Sequence, residues 1–223
     1  MPKPMSKFVE YPGLTGIYSA TKGTLRCTAI KLRGGSLCLF SPVLGLTDEV
    51  KNSLAELGDV SYLLAPNHYH NKGLSEYVDA FPQASLLAPD EAIPRLHKIT
   101  GLEFQDLAYF EKSLPAHISV INTSGLKTGE IWLRVQQNNS NAWLVVDAFC
   151  TMKENAKKSV SDRPQILGTF PRMGVDDVHS YLPWVYKQID HDKPTLILPC
   201  HGSAIESPQL PTKLKQLVRE TFE

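Results

Sequence analysis

The stretch from Val60 to Ala88 constrains the fold more than any other. Val60-Ser61-Tyr62-Leu63-Leu64-Ala65 is a compact apolar run closed by Pro66-Asn67. Leu74, Tyr77, Val78 and Phe81 then recur at helical spacing until Pro82 stops the helix, and Ser85 to Ala88 is a second short apolar run. Strand, loop, helix, strand is the grammar of a βαβ unit, in which two parallel strands are joined through a helix. Polar groups in such a unit collect in the loop at the C-terminal end of the first strand. Here that loop reads His68-Tyr69-His70-Asn71-Lys72-Gly73.

Around this unit the patterning predicts short strands at Thr15–Ala20, Cys27–Leu32 and Ser36–Ser41, the last two joined by Arg33-Gly34-Gly35, which is hairpin chemistry. Thr47-Asp48 reads as a helix start, with Val50, Leu54 and Leu57 on one face and Gly58 as the stop. A short helix follows over Asp90–Ile99, with Pro94 tolerable only near its first turn. Strand-like runs at His117–Asn122, Ile131–Gln136 and Ala142–Asp147 mirror the opening hairpins, the last pair joined by a polar turn over 137–141. Val178, Leu182, Val185 and Ile189 then mark a helix carrying Pro183; Thr195–Pro199 is a strand and Leu210–Phe222 a closing helix. The expected architecture is α/β: a four-layer αβ/βα sandwich of two mixed β-sheets flanked by helices, in one domain over residues 1–223.

Groups able to do chemistry fall at three strand ends: His68-x-His70 after Pro66, Asp147 closing its apolar run, and His201-Gly202 after Thr195–Cys200. A side chain at such an end has its backbone fixed by the sheet and its head free at the rim, which suits a metal site. Imidazole and carboxylate together suit zinc, iron or manganese. His97, His117, His179 and His191 lie outside this pattern, and Cys27, Cys38, Cys150 and Cys200, with no C-x-x-C pair, read as small buried hydrophobes.

The order of these elements resembles the metallo-β-lactamase fold superfamily over about Leu25 to Gly202. More narrowly, Leu64-Ala65-Pro66-Asn67 followed by His70, with Phe81-Pro82-Gln83-Ala84 further on, is similar to a branch of that superfamily with a degenerate metal motif. The resemblance implies a metal-dependent hydrolase with a reduced, mononuclear site. Its ligands would be His68, His70, Asp147 and His201, with Asp147 also catalytic through the attacking water. Full sites carry H-x-H-x-D-H on the first loop. In one register His68 and His70 are the first pair; in the other, set by the helix-opening Gly73, His70 replaces the Asp, Asn71 the final His, and His68 still occupies a ligand position. Either way the Asp is absent, and Leu126 stands where a further histidine ligand is expected. Lys72 and Arg172 are candidate substrate-binding cations, and Lys153, Lys157 and Lys158 form a small basic patch. The cofactor expected is one divalent metal ion, zinc first, with iron or manganese as alternatives, or none. In the metal-free alternative the fold binds a metabolite or partner; His68 and His70 then bond loop backbone, and Lys72 pairs with an acid such as Asp147.

Composition narrows the partners. Lys plus Arg is 23 and Asp plus Glu is 23, so the formal net charge is zero, against the clustered basic excess that nucleic-acid binding needs. No apolar run nears the roughly 18 residues of a membrane span and no signal-like segment follows Met1. The expectation is a cytoplasmic protein with a small-molecule substrate, no nucleic acid, no membrane, and a homodimer as one possible assembly.

Overall fold

The computed structural model describes residues 4–138, 140–152 and 160–223; the basic patch at Lys153, Lys157 and Lys158 lies outside them. The first sheet is built from β1 (Val9–Glu10), β2 (Ile17–Lys22), β3 (Leu25–Lys31), β4 (Leu37–Phe40), β5 (Val60–Leu64) and β6 (Ser85–Leu87), hydrogen-bonded in that order. β1 to β4 run antiparallel, whereas β4, β5 and β6 are parallel because α1 (Asp48–Ala55) and α2 (Leu74–Ala80) return the chain between them. Thr47 caps α1, its hydroxyl accepting from the Val50 N–H, as the sequence predicts.

Two further helices, α3 (Ile93–Thr100) and α4 (Ala108–Ser113), lead to β7 (Ile118–Asn122), β8 (Ile131–Gln137) and β9 (Ser140–Val145). The rest of the chain comprises β10 (Val160–Ser161), α5 (Phe170–Met173), α6 (Val178–Asp192), β11 (Leu196–Pro199), β12 (Ala204–Glu206) and α7 (Leu210–Phe222). The second sheet has the order β10-β12-β11-β9-β8-β7, with β9 parallel to β11 across α6. Patterning predicts the long elements but not β1, β10, β12, α4 or α5, which are two to six residues long and too short to show a period.

Strand alternation explains the layers. In β8, Ile131, Leu133 and Val135 pack toward the first sheet while Trp132 points the other way; in β9, Ala142 and Leu144 oppose Trp143 and Val145. In β4, Cys38 and Phe40 meet the second sheet, and Leu37 and Leu39 pack with Leu54 of α1 and Leu74 and Tyr77 of α2. One apolar layer therefore lies between the sheets and one beneath each set of helices, which gives the αβ/βα sandwich. Sheets covered on both faces need strands that are apolar on both faces, so the strands read as continuous runs. All four cysteines are buried, and burial pushes the Cys27 thiol up to about 12. No helix among the described residues is long and apolar enough to cross a membrane.

Candidate metal centre

Three of the strand ends singled out in the sequence meet at one rim. Asp147 follows β9, His201 follows β11, and the loop after β5 carries His70. Asp147 Oδ1 lies 2.9 Å from His201 Nε2 and 3.2 Å from His70 Nε2. Ligand atoms from the three residues all lie within 4.8 Å of one another. Their side chains are mostly enclosed, at 10% exposure for His70, 11% for Asp147 and 18% for His201.

The loop backbone decides which histidine takes part. Asn67, fully buried, turns its side-chain carbonyl back onto the N–H groups of Tyr69 (2.8 Å) and His70 (3.2 Å), an Asx turn that fixes the loop's path. That turn aims His70 at Asp147. His68 instead donates its backbone N–H to Thr128 and packs its ring against Tyr69, and its buried Nε2 has no hydrogen-bond partner among the described residues. Burial and the Arg95 charge lower the His68 pKa, which favours the neutral imidazole. Of the four residues implied as ligands, the structure thus gathers His70, Asp147 and His201 and leaves His68 outside the group. Gly73 is the N-cap of α2 and sits so close to the Pro42 carbonyl that a Cβ there would lie 2.7 Å from the carbonyl carbon. Both registers of the histidine motif give His68 a ligand position, whereas the structure turns only His70 of the two toward Asp147.

Residues that sequence reading passed over support this triad. Ser41 Oγ is 2.6 Å from His70 Nδ1, fixing the ring from its far side, and Ser41 holds a left-handed backbone (φ 58°) at the end of β4. Asn67 Nδ2 donates to Asp147 Oδ2 (2.7 Å) and to Oε2 of a second buried acid, Glu130 (3.2 Å). Glu130 also accepts from the Trp132 indole N–H (2.7 Å) and the Asp147 backbone N–H (3.3 Å). Arg26, buried and without a carboxylate partner among the described residues, donates through Nε to the Pro199 carbonyl and through Nη2 to the Gly202 carbonyl. It grips the turn on either side of His201, and the backbone bonds Arg26 N–H to Cys200 and Gly202 N–H to Thr24 complete the clamp. Gly202 itself has φ 95°, a conformation that favours glycine. Of these, only Asn67, beside the histidine motif, and Gly202, after His201, carried a signal in the sequence.

The two acids are driven apart. Burial pushes the Asp147 carboxyl up, but the His70 charge and the hydrogen bonds from His201 and His70 outweigh it and hold Asp147 well below the usual carboxylate range. Glu130 has no cation beside it among the described residues; burial and the neighbouring Asp147 charge push it up to about 8, so it carries a proton at neutral pH. The folded state therefore binds this proton more tightly than the unfolded chain, whose ordinary value is 4.5. The resulting stabilisation is complete below about pH 4.5 and is lost as pH rises through about 8. Glu130→Gln, which cannot lose a proton, is expected to flatten the fall in melting temperature between those limits in chelator-treated protein. Circular dichroism melts across that range check this, and a variant profile parallel to wild type contradicts it.

A cavity of about 390 Å³ opens over the triad between the loops after β4 and β5 and the segment around α5. Lys72 lines it, is exposed, and forms no ion pair among the described residues, so the pairing with Asp147 expected of a metal-free site is not formed. Arg172 is exposed on α5, whose Phe170 and Met173 line the cavity. Leu126 forms a β-bridge with Val175 and packs on the apolar layer beneath α6 and α7.

No protein-family model and no curated protein sequence matches the chain. Solved structures do. A metallo-β-lactamase from Hirschia baltica superposes with a TM-score of 0.61 over 97% of this chain and 98% of its own, at 12% identity. FIM-1 from Pseudomonas aeruginosa, a metallo-β-lactamase in its mono-zinc form, gives 0.64 over 99% and 97%, at 10% identity. The metallo-β-lactamase from Pontibacter korlensis gives 0.56 over 98% and 96%, also at 10%. At such identities the likeness speaks for architecture alone. The chain has the metallo-β-lactamase fold.

Proposed function

We propose that the protein is a metal-dependent hydrolase of a small molecule, working with one divalent ion held by His70, Asp147 and His201. The observation that carries this reading is the convergence of two imidazoles and an ionised carboxylate from three separate strand ends on one enclosed point. The donor set fits: two nitrogens and one oxygen suit zinc, and also iron or manganese, with water completing the shell. Each ligand has the outer support that such sites use, Ser41 behind His70, Asn67 behind Asp147, and the Arg26 clamp around His201. The bound ion would supply a water acidified toward pH 7 as nucleophile. The chain's own part is to hold Asp147 ionised, keep the imidazoles oriented, and exclude bulk water with the cavity wall. Lys72 is proposed to meet the substrate at the mouth, and Arg172, exposed on α5, is proposed as a second substrate-binding cation. The protein is further proposed to act in the cytoplasm and without nucleic acid.

Elemental analysis of the purified protein tests this. About one equivalent of zinc, iron or manganese per chain is expected, retained in His68→Ala and reduced below about 0.1 in His70→Ala and His201→Ala. A wild-type protein below about 0.1 equivalent after metal-supplemented expression overturns the hydrolase, and the metal-free binder of a metabolite then takes its place.

A further inference from the structure

The cavity wall is chemically lopsided. Beyond the triad, the described residues that line it include Leu25, Val43, Leu44, Leu167, Phe170 and Met173 together with the hydroxyl groups of Ser41, Tyr69, Thr128 and Thr169, and among the described residues the one lysine or arginine on it is Lys72. Leu25, Leu44 and Met173 are 39%, 47% and 38% exposed, so three of the large apolar side chains that this protein leaves in water stand around one opening. An apolar rim on a concave site marks a ligand surface, since leaving such groups wet has no structural benefit. Asp147 is already met by His70 and His201, which leaves the Lys72 charge turned to the ligand. One ammonium among the described lining residues, set beside a mostly apolar wall, matches an amphiphilic monoanion.

We propose that this cavity binds a small amphiphilic carboxylate, its aliphatic body on the Leu44–Phe170–Met173 wall and its charge on Lys72. The inference rests on the reading above only in setting the apolar wall beside the triad; binding of the anion does not require the metal.

Isothermal titration calorimetry with octanoate, butyrate, octylammonium and 1-octanol, on the protein as purified and after chelation, tests it. Octanoate is expected to bind at least about tenfold more tightly than butyrate, since four more methylenes leave water, and more tightly than octylammonium. Lys72→Met is expected to weaken octanoate about fivefold and leave octanol unchanged, while Met173→Asp weakens both. Octylammonium binding as tightly as octanoate, either variant leaving octanoate unchanged, or chelation abolishing octanoate binding would each overturn the proposal; the last would mean that the carboxylate merely coordinates the metal. The two readings fail separately. Protein without metal that still binds octanoate through Lys72 refutes the hydrolase and supports this inference, whereas metal-loaded protein without the preference refutes this inference alone.

Discussion

Replacing Asp147 by alanine is expected to abolish metal retention and hydrolysis together, with metal affinity falling by more than about 100-fold. The size follows from what Asp147 touches. It supplies the only carboxylate of the triad, its Oδ1 is the point on which both imidazoles converge, and its Oδ2 holds Asn67. In wild type, metal present at about a thousand times its dissociation constant stabilises the fold by about 4 kcal/mol, so chelation should lower the melting temperature by several degrees. In Asp147→Ala that chelator-dependent shift should vanish. A separate loss of about 1–3 kcal/mol should persist with or without chelator, because Asn67 and the two imidazoles lose an acceptor in an enclosed site. Ser41→Ala should behave in between, losing about 10- to 100-fold in metal affinity with the ligands intact. Asp147→Ala protein that still retains one equivalent of metal would contradict this account.

The largest expected effect on stability is at Trp132. Its ring is fully buried, with centroids 5.2 Å from Trp143, 5.7 Å from Phe149 and 5.0 Å from Trp184, in the layer beneath α6 and α7. Trp132→Ala opens a cavity there and should cost about 3–5 kcal/mol in urea unfolding. Trp132→Phe keeps much of the packing but leaves Glu130 Oε1 without its indole donor, a loss of about 1–2 kcal/mol. The pair of variants separates the contributions: equal losses would assign the role to the hydrogen bond, and a loss below about 1 kcal/mol for alanine would remove Trp132 from the core's account. Trp132→Phe should also raise the pH at which Glu130 gives up its proton, since that indole bond favours the charged form.

Much of this was legible along the chain, and the reason is patterning. The strands of the βαβ unit between Val60 and Leu87 and of the hairpin into β4 show as continuous apolar runs bounded by turn residues, and the helices α1, α2, α6 and α7 carry a repeat of 3.6 long enough to read. Strand ends could be read as well, because an apolar run that stops at His, Asp or His-Gly marks a rim position whatever the sheet order. Asp147, His70 and His201 were therefore legible as candidates from sequence, and the order of elements carried the resemblance to the fold.

Only tertiary structure decided among them. His68 and His70 are equivalent in the sequence, two residues apart on the same loop; the Asx turn at Asn67 sends one to Asp147 and leaves the other against Tyr69. Glu130 and Arg26 had no local signal, since Glu130 meets Asn67 63 residues earlier and Arg26 reaches carbonyls more than 170 residues away. A charged side chain looks the same in sequence whether it is solvated or buried. What distinguishes Glu130 and Arg26 is the low-dielectric position that two packed sheets create, and that position exists only once the whole chain has folded.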